Sequence, residues 1–146
     1  TGQMGDVMKE SARIGISFVR SVGEENHISP SVFKENDFHI HIPQGAVPKD
    51  GPSAGITMAT AIFSAITGKL VRSDLAMTGE VTLRGRVLPI GGLKEKILAA
   101  RMAGIKEVLV PAQNKKDIEE ISDEIKEGLS ITYVKNMKEV LKHALL

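Results

Sequence analysis

A chain of 146 residues with 42% hydrophobic and 25% charged side chains has the size and balance of one globular domain that buries its own core. A formal net charge of +1 and 3% aromatics supply neither the basic field nor the stacking platforms of a nucleic-acid binder, and no apolar run reaches the length of a membrane span. The absence of cysteine removes disulfides, thiolate metal sites and a Cys nucleophile, and fits a reducing compartment.

Met4, Val7, Met8, Ile14, Phe18 and Val19 recur mostly three or four apart, which predicts a helix over 4–22. The preceding TGQMGD lacks the features of a signal peptide and is expected to be the abrupt start of an excised domain. GEENHISPS reads as a loop. DFHIHIP alternates strictly, Phe38, Ile40 and Ile42 on one side and His39 and His41 on the other, and predicts a strand ending at Pro43. The breaker-rich PQGAVPKDG reads as a loop.

A buried helix is predicted from Ser53 to Thr67, with Ile56, Ala59, Ile62, Phe63 and Ile66 as its apolar stripe and Gly68 as its stop. DLAMTGEVTLRGRVLPIGG predicts short strands with turns at Gly79 and Gly85. LKEKILAARMAG predicts a helix closed by Gly104, and EVLVPA a short apolar strand. Asn114 is placed to cap a helix through KKDIEEI. LSITYV then reads as a strand and MKEVLKHALL as a closing helix. Alternating helices and strands without internal repeats indicate a layered α/β domain.

The chemistry concentrates in KDGPSAG. A serine opening a helix sits among unpaired backbone N–H groups that carry about half a unit of positive charge. Such donors suit an oxyanion, and one of them is worth about 2.7–4 kcal/mol in a transition state. Gly51 and Gly55 would let a substrate backbone come close, and Pro52 stiffens the turn. The same features also describe an N-cap, and from this stretch alone the cap is the stronger reading, since Ser is among the best capping residues. A phosphate-binding P-loop fails on spacing: Gly68-Lys69 is followed by Leu70, and position 63 is Phe.

A serine nucleophile needs a base. His39 and His41 project from one strand face and could share a cleft. As a metal pair they lack a third ligand at a recognisable spacing, and polar cleft residues are the better reading. A Ser-His-Asp arrangement through Asp50 has no local support. A lysine base must be neutral, which requires burial to hold its pKa well below the ordinary value. Lys94 and Lys96 lie about 200° apart on their helix, so only one can face a given site. Lys96 shares its face with Leu93, Ala100 and Ala103, whereas Lys94 falls beside Arg101 on a basic stripe. Geometry leans towards Lys96.

Three stretches, HIHIPQGAVPKDGPSAGITMATAI, AMTGEVTLRGRVLPIGGLKEKILAA and VLVPAQNKKDIEEI, closely resemble the proteolytic domain of the Lon ATP-dependent proteases. The likeness covers nearly the whole chain, and the PKDGPSAG form is similar to the bacterial and organellar subfamily. The resemblance implies the Lon protease α/β fold of layered helices and a mixed sheet, related to the second domain of ribosomal protein S5. It implies a serine endopeptidase with a Ser-Lys dyad: Ser53 as nucleophile, Lys96 as general base, and Thr78 in contact with the lysine. Asp50 matches an aspartate whose loop switches the site between closed and open forms, with Gly51 and Pro52 in the same turn. His39 and His41 match positions near the cleft.

Substrates would be unfolded or damaged polypeptides, delivered by the protein's own ATPase domain within a homo-hexamer. Location would be the bacterial cytoplasm or, alternatively, the mitochondrial matrix. No cofactor, nucleic acid or membrane is implied for this domain; ATP and Mg would serve the ATPase. The chain carries no Walker motif, so 1–146 is expected to be the proteolytic domain alone, trimmed at its N-terminus. Two other function classes compete with the enzyme. One is a catalytically silent Lon-like assembly or binding module, which has no reason to keep both Ser53 and Lys96. The other is an anion-binding helix mouth, which predicts nucleotide binding.

Overall fold

The computed structural model describes residues 1–43 and 50–146. In chain order the elements are α1 (Asp6–Ser21), α2 (Ser31–Glu35), α3 (Gly55–Thr67), β1 (Leu75–Met77), β2 (Glu80–Val81), β3 (Val87–Leu88), α4 (Leu93–Met102), β4 (Glu107–Pro111), α5 (Lys115–Glu119), α6 (Asp123–Lys126), β5 (Ser130–Val134) and α7 (Met137–Ala144). Strands β1, β4 and β5 form a parallel sheet in that order, with Met77 opposite Leu109 and Leu109 opposite Thr132. Strands β2 and β3 form an antiparallel hairpin. Parallel and antiparallel pairing therefore both occur, in separate sheets.

The central strand β4 divides the core. Leu109 joins Phe18 and Val19 of α1, Ile56, Ile62 and Phe63 of α3, and Met137 and Val140 of α7. Its neighbours Val108 and Val110 point the other way and meet Leu93, Ile97 and Ala100 of α4 with Ile118 and Ile121. A strand with apolar side chains on both faces is what a sheet covered by helices on both sides requires. Each fully buried aliphatic or Phe side chain in these layers contributes roughly 1.5–3 kcal/mol.

Helices α1 and α3 meet at Gly15, where a Cβ would make ordinary van der Waals contact with the backbone nitrogen of Ala59 at 3.4 Å. Gly85 is demanded twice over. Its φ is +81°, and a Cβ would fall 2.4 Å from Cε2 of Phe18. At the far edge of the sheet, Arg72 donates to Glu107 at 2.6 Å and to the carbonyl of His143 at 3.2 Å, tying the end of α7 to the start of β4.

Several expectations are revised. Residues 38–42 keep their alternation, with Phe38, Ile40 and Ile42 half-buried and both histidines exposed. They form no named strand, since among the described residues the only bridge that 38–42 make pairs Ile42 with Gly2. Alternation orients side chains; a ladder also needs a neighbouring strand. Helix α3 starts at Gly55 instead of Ser53, and its N-cap is Ala54.

Gly79 is no turn. It allows close packing, because a Cβ there would meet Cγ1 of Val87 at 2.8 Å. Asn114 stands at the N-cap of α5 but makes no capping bond. Capping of that kind occurs at Asn136 instead, which accepts from the Glu139 N–H at 3.0 Å while Glu139 accepts from the Lys135 N–H at 2.9 Å. The short helices α2 and α6 lie where no helix was expected. Residues 44–49 of the predicted 43–51 loop lie outside the described residues.

Candidate active site

Ser53 lies in the turn that delivers the chain into α3. Backbone bonds stitch this turn to the residues that follow β1. The Gly79 N–H donates to the Ser53 carbonyl at 2.8 Å, and the Ile56 N–H donates to the Gly79 carbonyl at 3.1 Å. The first turn of α3 is thereby fixed against the carboxyl end of a parallel strand, the usual position of sites in α/β sheets. The Gly55 N–H closes on the Pro52 carbonyl at 3.1 Å. With no capping bond to make, the Ser53 hydroxyl is left to side-chain partners.

Its partner is Lys96. The lysine enters from the first turn of α4, and its Nζ lies 2.8 Å from Ser53 Oγ and 3.1 Å from Thr78 Oγ1. Thr78 is buried at 5% exposure and in turn donates to the Ser53 carbonyl at 3.3 Å. Since that hydroxyl's proton points to a carbonyl, its lone pairs face Lys96. Burial disfavours the ammonium form and pushes Lys96 below the ordinary lysine value. Lys94, by contrast, is exposed. Leu93 and Ala100 beside Lys96 are buried, as its helical face implies.

Two clefts meet at this pair. One of about 540 Å³ is lined by Pro52, Ser53, Pro89, Ile90, Gly91, Lys96, Asn114 and Asp117. The other, about 280 Å³, runs between α3, β1 and α4 past Ala54, Thr57, Met77 and Ile97. A groove of about 400 Å³ at the far ends of α1, α3 and α7 carries Lys69, Lys138 and Lys142, but no hydroxyl beside a buried base.

Asp50 does not contact the pair. Its Oδ1 accepts the Met8 N–H at 2.9 Å and the Gly51 N–H at 2.8 Å. It thus serves the N-terminus of α1 from a distant point in the chain, a place where a carboxylate is favoured. It rests on Gly5, where a Cβ would fall 2.3 Å from Asp50 Cγ. Among the described residues, the N–H groups of Ser53 and Ala54 donate to no protein acceptor. His39 Nε2 and His41 Nδ1 converge on Thr1 Oγ1, at 2.7 and 2.9 Å, and neither residue lines the two clefts. Among the described residues no group of three or more His, Asp or Glu is placed to hold a metal ion.

Sequence reasoning overlooked the side chain of Asn114. At 2% exposure it bonds the backbone of Ile90 and lines the larger cleft. Its position just before KKD read as a helix cap, and that disguised it. Gly5 was also overlooked, because nothing local distinguishes a glycine that accommodates a carboxylate 45 positions away.

Residues 1–146 match the family model described as the Lon protease (S16) C-terminal proteolytic domain. The chain is 66% identical over 146 residues to "Lon protease" of Lachnoclostridium phytofermentans, covering all of this chain and 18% of that protein. It is 58% identical to "Lon protease" of Clostridioides difficile (strain 630) and 57% identical to "Lon protease 1" of Bacillus subtilis (strain 168). Each of these alignments covers all of this chain and 19% of the relative. The chain thus spans under a fifth of the length of these curated relatives. It belongs to the Lon protease (S16) C-terminal proteolytic domain family.

Proposed function

We propose that the chain is a serine peptidase domain in which Ser53 is the nucleophile and Lys96 its general base. The observation that carries this reading is the 2.8 Å contact between Lys96 Nζ and Ser53 Oγ at a half-buried helix mouth. Neutral Lys96 accepts the Ser53 proton as Oγ bonds to a peptide carbonyl carbon, and the carbonyl oxygen takes the negative charge. Because the Gly51 N–H is committed to Asp50 and Pro52 has none, the N–H groups of Ser53 and Ala54, which meet no acceptor among the described residues, are the donors for that oxyanion. Collapse breaks the C–N bond, and Lys96 returns its proton to the leaving amine. Water then attacks the acyl ester, Lys96 takes the water's proton, and Ser53 is released with it.

Thr78 orients the lysine by accepting one of its N–H bonds, so that the amine lone pair faces Ser53. Asp50, Gly51 and Pro52 hold the turn, and His39 and His41 belong to its surroundings. The steps use side chains and backbone N–H groups of this domain and one water molecule. In a longer protein the natural substrates would be unfolded polypeptides fed by an ATPase domain within a hexamer, in a bacterial cytoplasm.

The test is a peptidyl boronate, which bonds covalently to an activated serine. The 146-residue chain should react, and Ser53→Ala and Lys96→Ala should not. Equal behaviour of all three would sink the dyad and favour a catalytically silent module.

A further inference from the structure

We infer that Asn114 is a positioning residue for the Ser53–Lys96 site. It clamps the backbone of Ile90 and so fixes both the cleft wall at Gly91 and the first turn of α4. The inference rests on the functional reading above. Asn114 ends the turn that follows β4, and its carboxamide engages Ile90 from both sides. Oδ1 accepts the Ile90 N–H at 2.9 Å, and Nδ2 donates to the Ile90 carbonyl at 2.9 Å. This is the pairing one residue of a neighbouring strand would offer, here supplied by a side chain. The second Nδ2 proton goes to Asp117 Oδ2 at 2.8 Å. At 2% exposure every carboxamide donor is used. The pairing also fixes which end of the carboxamide faces which backbone group.

The clamped segment has two duties. Ile90 and Gly91 wall the larger cleft beside Ser53 and also a neighbouring groove of about 490 Å³ that runs on towards Ile121. Gly92, with φ of +70°, turns the chain into α4, and the Lys96 N–H makes its helical bond to the Gly92 carbonyl at 3.3 Å. Lys96 therefore stands one turn from the clamp. Releasing Ile90 frays the turn that holds the lysine and admits water to Nζ. Among the described residues, Asp117 is the one charged side chain besides Lys96 that lines the two clefts at Ser53, and Asn114 holds its carboxylate. Both consequences of losing Asn114 favour the ammonium form of Lys96.

The test uses Asn114→Ala and the isosteric Asn114→Asp in the 146-residue chain. Val140→Ala, in the core of α7 away from the site, serves as a destabilised control. The Ile90 amide should be protected from hydrogen exchange in the parent and lose protection at least tenfold in Asn114→Ala, whereas the carboxylate of Asn114→Asp still accepts that N–H and loses only the bonds donated to the Ile90 carbonyl and to Asp117. The kcat/KM of both variants on a fluorogenic peptide should fall at least tenfold, and the acidic limb of the pH–rate profile should move to higher pH. Val140→Ala should leave that limb in place. Unchanged exchange at Ile90 in Asn114→Ala, or Asn114 variants that lose activity without moving the limb, would overturn the clamp. A parent chain inert towards boronate would refute the dyad itself, and that failure is recognisable because Ile90 protection does not depend on it.

Discussion

Replacing Thr78 by Val isolates the orientation of the lysine. Valine keeps the shape of threonine and leaves the buried packing at this position intact. What disappears is one hydroxyl, which accepts from Lys96 Nζ at 3.1 Å and donates to the Ser53 carbonyl at 3.3 Å. The Ser53 carbonyl keeps its 2.8 Å bond from the Gly79 N–H, so no buried carbonyl is left bare. The loss falls on the lysine. A hydrogen bond to a charged or charging group is worth about 1.5–3 kcal/mol. At about 1.36 kcal/mol per tenfold in rate, Thr78→Val should lower kcat roughly 10- to 150-fold. KM should change little, because the hydroxyl is committed to Lys96 and Ser53 and substrate binding does not rely on it. Thr78→Ser restores the oxygen and should recover most of the rate. The measurement is steady-state hydrolysis of a fluorogenic peptide across pH, with thermal melts to confirm folding. A Thr78→Val enzyme with parental kcat would refute the orienting role, as would a serine variant no better than valine.

Two further outcomes follow from the same geometry. In Gly5→Ala the backbone, at φ −78°, accepts alanine, but the new methyl occupies the place of the Asp50 carboxylate. The loss of that distant cap should cost about 0.5–2 kcal/mol in denaturant melts and slow reaction with the boronate. Lys96→Met should abolish hydrolysis yet raise Tm at pH 7. The folded chain binds the lysine proton more weakly than the unfolded chain does, so the buried ammonium costs stability at low and neutral pH. The cost fades as pH rises towards about 10.5, and melts at both ends of that window should show the gap closing.

The layered architecture and the faces of its helices were legible because they depend on periodicity. Ile56, Ala59, Ile62 and Phe63 are buried as their spacing required, and Lys96 shares its face with the buried Leu93 and Ala100. Features set by remote partners were not legible. Phe38 to Ile42 alternate, but whether an alternating segment joins a sheet depends on what lies beside it. Asn114 and Asn136 both precede a helix. Only the second caps, because the first is claimed by the backbone of Ile90, 24 positions away in sequence. Local preference lists both choices for such a side chain, and tertiary contact selects one.

The same selection explains Ser53. Read locally, it is a good N-cap, and a capping hydroxyl would be tied to a backbone N–H of α3. In the folded chain the helix begins two residues later, and neighbouring backbone closes the turn through Pro52 and Gly79. The hydroxyl is thereby spared for Lys96, and among the described residues the N–H groups of Ser53 and Ala54 meet no protein acceptor, as the proposed oxyanion site requires. The hydroxyl is available because it makes no cap, and the bonds at Gly79 hold the turn in its place. A serine hydroxyl at a helix mouth, with a half-buried amine at 2.8 Å, is the arrangement that the proposed acyl transfer requires.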